Sequence, residues 1–142
     1  MILENHPKLK FWLKRCLETA TGYRIRYHIP FWSKEKIVFT FDDGPILSTL
    51  SILDLLDKYD KKAIFFVVAE NVKKNPQIAR EIVKRGHLMG SHGLIHSNMK
   101  KLPLSEFSRN VKESFRVIED VCGVKSGYFR PPFGQINLLQ AV

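Results

Sequence analysis

Cysteine is scarce: Cys16 and Cys122 are the only two in 142 residues, far apart and without Cys-x-x-Cys spacing. That excludes a disulfide framework and a zinc knuckle. It leaves two buried or half-buried free thiols, in keeping with a reducing compartment. Long apolar runs are missing as well. Nothing approaches the roughly 18 apolar residues that a membrane-spanning helix needs. At the N-terminus Lys8, Lys10, Lys14 and Arg15 interrupt every candidate signal core, which makes cytoplasmic the default location. Low-complexity tracts and internal repeats are absent too. With 44% apolar and 26% charged residues the composition is that of a soluble globular chain, not a disordered one.

Acidic residues are outnumbered, 14 against 23 Lys and Arg, which leaves a net charge of +9. Such an excess favours anionic partners such as phospholipid head groups or cell-wall polymers; a merely solvated basic surface is the alternative, because the charges are spread along the chain. No recognisable nucleic-acid module accompanies them, and no nucleic-acid partner is expected. Between Lys8 and Leu17, the residues Leu9, Trp12, Leu13 and Cys16 or Leu17 fall at helical spacing with basic residues between them. A helix of that kind either docks on its own domain or makes a peripheral contact with a membrane surface. The length suits one domain. Residues 1–36 read as the basic helix and a linker, and residues 37–142 as the body.

Within the body, Ile37 to Phe41 is a short β-branched and aromatic run that reads as a buried strand, stopped at once by Asp42-Asp43-Gly44-Pro45. Ser48 to Tyr59 suits a helix with a wide apolar face, and Ala63 to Ala69 a second buried strand. Pro76 opens a helix through Arg85, with Gly86 placed for its C-terminal cap. His87 to Gly90 reads as a short third strand. Ser105 begins a helix whose apolar positions Phe107, Val111, Phe115, Ile118 and Val121 run to Gly123. A brief strand at Tyr128-Phe129 leads into Arg130-Pro131-Pro132, and Leu138 to Val142 reads as the opening of another helix. Near-continuous apolar strands alternating with helices predict parallel α/β architecture, in which reactive groups sit where strands end.

Two adjacent carboxylates, Asp42 and Asp43, follow the first strand. In extended chain they point to opposite sides, so one can bind a metal while the other takes a proton from water. Asp-Asp-Gly-Pro is also good turn chemistry, and alone would be read that way. His92 and His96 are four residues apart, which on a helical turn puts both imidazoles on one face; Gly90 and Gly93 allow an irregular loop instead. Together with a strand-end Asp they form an Asp-His-His set with open coordination positions. Two consecutive prolines stiffen the segment that presents Arg130, whose guanidinium suits pairing with a carboxylate.

Thr40-Phe41-Asp42-Asp43-Gly44-Pro45, then Ser91-His92-x3-His96, then Arg130-Pro131-Pro132-Phe133-Gly134 resemble the first three motifs of the polysaccharide deacetylases. That family is also called carbohydrate esterase family 4, or the NodB-homology domain. The order matches, and the resemblance runs from about Ile37 onward. It implies that Asp43, His92 and His96 hold a divalent cation, commonly Zn2+. Asp42 would be the general base, oriented by Arg130, and the Phe133 backbone N–H would stabilise the oxyanion. The implied fold is a distorted (β/α) barrel. The implied activity is metal-dependent removal of acetyl groups from N-acetylated or O-acetylated oligo- or polysaccharides, a hydrolysis of carbon–nitrogen bonds other than peptide bonds.

The family continues past its third motif with two more, which supply an aromatic wall and a general-acid histidine. This leads to the expectation of a C-terminally truncated domain, a partial barrel lacking its closing strands, weak or inactive alone. Two alternatives share the residues: a deformylase or deacylase of a lipid-linked sugar, and a non-catalytic remnant that binds metal or sugar.

Overall fold

A computed structural model describes residues 37–137, 139 and 140. The basic helix at Lys8–Leu17, the linker to residue 36, Cys16 and most of the segment from Leu138 to Val142 lie outside the described residues.

Three parallel strands form the sheet, in the order β1-β2-β3. They are β1 (Phe39–Asp42), β2 (Ala63–Val67) and β3 (Leu88–Ser91). Aromatic and β-branched side chains favour the pleated conformation, and the Phe41 ring stacks on Phe65 at 5.1 Å across the β1–β2 pair. β2 is the central strand and is almost wholly buried. It carries no polar side chain, as a strand covered on both faces requires. A single parallel bridge, Ser91 to Phe129, adds a fourth chain segment beside β3.

Helices make the crossovers. α1 (Leu47–Lys58) joins β1 to β2, while α2 (Ala69–Lys74) and α3 (Pro76–Lys84) join β2 to β3. The long α4 (Leu104–Cys122) packs on α2 and α3. The first turn of α1 is capped from within, because the Thr49 hydroxyl accepts the Ile46 N–H at 3.0 Å. Gly123 ends α4 at φ +70°, a left-handed conformation that a side chain would resist. Leu53, Phe65, Val67, Val72, Ile82 and Ile118 meet in one core between the helices and the sheet. A second cluster, Met99, Phe107, Val111 and Phe115, lies under the loop between β3 and α4.

The architecture is the expected partial α/β barrel, with three local differences. β1 starts at Phe39, since Ile37 is 81% exposed and lies outside the pairing, and the strand is half exposed where a buried one was expected. The apolar run after Ala63 stays buried to Ala69, but the strand ends at Val67 and Ala69 already opens α2. Continuous apolarity marks burial, not backbone conformation, so the run concealed the change. The strand expected at Tyr128-Phe129 is reduced to the one bridge at Phe129. Among the described residues no helix is long and apolar enough to cross a membrane.

Candidate active site

Asp42, Val67, Ser91 and Arg130 stand at the C-terminal ends of four neighbouring chain segments. In parallel sheets this is the edge where side chains of different loops converge. After Asp42 the chain turns sharply: Asp43 is left-handed at φ +70° and the Gly44–Pro45 peptide is cis. A short polar side chain tolerates that conformation better than most. The turn is held from α2 and its N-terminus. The Asn71 amide donates to the Asp43 carbonyl at 2.7 Å, and Val68 N–H to the Gly44 carbonyl at 2.9 Å. The two carboxylates do serve different partners, yet the left-handed backbone at Asp43 separates them, where extended alternation was expected.

Asp43 faces the histidines. Its Oδ1 lies 3.4 Å from Nε2 of His92 and 3.2 Å from Nε2 of His96. The two rings sit 5.3 Å apart, His92 buried and His96 half exposed. Of the two backbone forms open to this pair, the chain takes the irregular loop rather than the helical turn. His92 Nδ1 lies 2.7 Å from the Arg130 carbonyl, which can only accept. Nδ1 therefore carries the proton, and in the neutral ring Nε2 is a bare acceptor directed at a carboxylate oxygen. Two lone pairs facing each other need a positive charge between them, either a cation or an added proton. One ligand atom from each of Asp43, His92 and His96 lies within 4.8 Å of the others. Two imidazoles and a carboxylate are a donor set that could hold a divalent ion and leave coordination positions open.

Asp42 pairs instead with Arg130. Arg130 donates through Nη1 to Asp42 Oδ1 at 2.7 Å and to the Thr40 hydroxyl at 3.1 Å. One nitrogen serves both, in place of a two-pronged pairing, and Asp42 Oδ2 takes no part in either contact. The guanidinium lies 4.0 Å above the Phe66 ring centre, which fixes its plane. Arg130 thus touches the aspartate with its side chain and a histidine with its backbone. Phe133 is left-handed at φ +59° and 61% exposed, with its ring 4.5 Å from that of His96. Left-handed backbone at a bulky residue is costly, of the order of 1–2 kcal/mol, and such strain gathers at functional sites. The amides of Gly134 and Gln135 close this turn on the Pro131 and Pro132 carbonyls.

All six residues singled out in the sequence are therefore gathered at one sheet edge. Thr40, Phe66 and Asn71 join them; Thr40 opens the first motif with no role attached to it, and no pattern assigned a role to the other two. Phe66 is one of two adjacent phenylalanines in an apolar run, and nothing in that run marks it out. Asn71 had a weak signal, as an amide residue just after a buried run.

The sequence profile described as polysaccharide deacetylase matches residues 32–140. The chain belongs to the polysaccharide deacetylase family. Among its relatives, a peptidoglycan-N-acetylglucosamine deacetylase of Bacillus cereus is 35% identical over 106 residues, covering 74% of this chain and 38% of that enzyme. A solved peptidoglycan N-acetylglucosamine deacetylase bound to an N-hydroxybenzamide compound aligns with TM-score 0.74 and 32% identity. That alignment covers 78% of this family member and 52% of the solved chain. A family 4 acetyl xylan esterase of Clostridium thermocellum, in complex with a cobalt ion, aligns with TM-score 0.69 and 33% identity over 72% of this chain and 51% of that one. The chain thus spans about half of these solved proteins and less of the curated enzyme.

Proposed function

We propose that this chain carries the metal and base half of a hydrolase that removes acetyl groups from N-acetylated sugars of a glycan polymer. The observation that carries the reading is the pairing of two constellations at one edge. Asp43, His92 and His96 converge on one point, and Asp42 stands beside them under Arg130. The peptidoglycan and xylan deacylases among the relatives support acetylated sugar as the substrate class, and the cobalt complex of one of them supports a divalent cation. Zn2+ is the proposed ion, on the strength of the two imidazoles and one carboxylate.

When bound by Asp43, His92 and His96, the cation would polarise an acetyl carbonyl and make water more acidic. The remaining work falls to the chain. Asp42, through Oδ2, accepts the proton of the attacking water, and Arg130 keeps the carboxylate turned toward it. His92 is held in one tautomer by the Arg130 carbonyl, so proton acceptor and ligand are set by a single residue. The Phe133 N–H, not used by the two bonds that close its turn, is the donor proposed for the oxyanion. The products are acetate and a free amine on the sugar, or a hydroxyl where the acyl group is an ester.

The test combines zinc stoichiometry with acetate release from N-acetylglucosamine oligomers, peptidoglycan fragments and acetylated xylan. Asp42→Asn is expected to keep about one zinc per chain and to lose about 10²–10⁴-fold in rate. Retention of the rate in this variant would remove Asp42 from the mechanism. Failure of the unaltered chain to bind zinc would remove the metal site.

A further inference from the structure

The face of α4 that meets the core is apolar except for Ser114, which is 0% exposed. A buried serine in the middle of a helix needs an explanation, because it weakens the apolar face and competes with the backbone for hydrogen bonds. Its hydroxyl donates to the Val111 carbonyl at 2.7 Å, one turn back, and also meets the hydroxyl of Ser91. Ser91 is likewise 0% exposed, at the last position of β3 and directly before His92. Its Oγ accepts the Gly93 N–H at 3.0 Å.

The direction of the Ser91–Ser114 bond follows from its neighbours. A hydroxyl has one proton. Ser114 has given its proton to Val111, so Ser91 must donate to Ser114. The bonds run in one sense, from Gly93 N–H to Ser91, from Ser91 to Ser114, and from Ser114 to the Val111 carbonyl. Gly93 needs such a partner. It is buried, sits at φ +91°, and a Cβ there would come within 2.5 Å of Met99 Cε. The loop can pass this point only with a bare, inward-facing backbone. On either side the same loop is tied down: His92 N–H to the Val67 carbonyl at 2.8 Å and Leu94 N–H to the Asn110 side chain at 3.0 Å. The Gly93 and Leu94 carbonyls accept from Ala69 and Glu70 at 3.0 Å each.

We infer that the buried Ser91–Ser114 hydroxyl pair is a positioning element that sets the His92–His96 loop against α4 in the conformation able to hold a cation. The inference rests on the reading of Asp43, His92 and His96 as a metal site. Neither serine is a ligand. They act through the loop backbone, as outer partners that fix the aim of metal-ligating side chains generally do.

The experiment titrates the 142-residue chain with Co2+, reading both the dissociation constant and the visible absorption of the bound ion. Thermal unfolding is measured alongside in the presence of chelator. Ser91→Ala should raise the Co2+ dissociation constant by about 10–100-fold and alter the absorption envelope. Ser114→Ala should act in the same direction, and the double variant should bind no worse than Ser91→Ala, because both residues act through one chain of bonds. Wild-type affinity and spectrum in both single variants, with only the melting temperature lowered, would overturn the inference and reduce the serines to a packing role. If Ser91→Ala does not fold, Ser114→Ala decides, since alanine is the better helix former. Absence of Co2+ binding by the unaltered chain is a separate result, which overturns the metal site itself and the positioning role with it.

Discussion

His87 is the one side chain among the described residues with a buried polar atom that lacks a hydrogen-bond partner. Its Nδ1 accepts the Ala63 N–H at 3.3 Å, so the ring proton sits on the unpartnered Nε2. Burial, helped by Lys62 and Arg85 and opposed by Asp57, pushes this imidazole below its ordinary value of 6.5. The fold therefore holds the neutral ring, while the unfolded chain takes up a proton near the ordinary value. As the pH falls below about 6.5 the unfolded state binds more protons than the folded one, and stability is lost. Above that pH the contribution is complete. The urea midpoint should drop between pH 7 and pH 5, and the drop should become shallower in His87→Gln. Equal slopes in the two proteins would place the effect on other groups. His87 was unassigned in the sequence because its role depends on what surrounds it. The candidate site residues were easier to single out, since their own chemistry marks them: carboxylates at a strand end, paired imidazoles, an arginine before two prolines. Ser91 and Ser114 are ordinary residue types, and only the folded chain shows that they meet.

Gly90, in the middle of β3, shows how one element positions another. A Cβ there would stand 2.7 Å from the Phe66 ring and 3.0 Å from the Tyr128 carbonyl. Phe66 projects from β2 and supports the Arg130 guanidinium, so the absent side chain on β3 lets that ring pack beneath the arginine. Gly90→Ala has to displace either the ring or the segment from Tyr128 to Arg130. It should cost about 1–3 kcal/mol of stability, as overpacking does, and lower the proposed acetate release by moving Arg130 off Asp42. Gly127→Ala is the control, because nothing lies within 4 Å of a Cβ at that position. Equal unfolding midpoints for the two variants would sink the prediction. At this scale the sequence was readable where hydrophobic period and punctuation agreed. α1, α3 and α4 fall within a residue or so of where Pro76, Gly86, Gly123 and the apolar spacing put them. It was unreadable where one apolar run crosses from β2 into α2, and where Phe129 joins the sheet by one bridge.

Across the molecule, the donors for the proposed cation come from the loops after β1 and β3, with β2 lying between those strands. Among the described residues β1 pairs only with β2, and Ile37, Val38 and Phe39 are exposed at its start. The end of β1 carrying Asp43 is therefore the part of the site with the least support from the sheet. A cation shared by Asp43, His92 and His96 would tie that end to the β3 loop, which is itself fastened to β2, α2 and α4. Binding to the folded state alone stabilises it by about 2.7 kcal/mol at a hundredfold excess over Kd. For a chain of this length that raises Tm on the order of 10 °C. Added Zn2+ should produce this rise in the unaltered chain and chelator should reverse it. Hydrogen exchange should slow most in β1 and the turn after it. In Asp43→Ala the rise should vanish, while the β3 loop keeps its protection through its other ties. An equal rise in Asp43→Ala would mean that the ion binds elsewhere on the chain, and that the convergence of Asp43 with the two histidines does not by itself make a metal site.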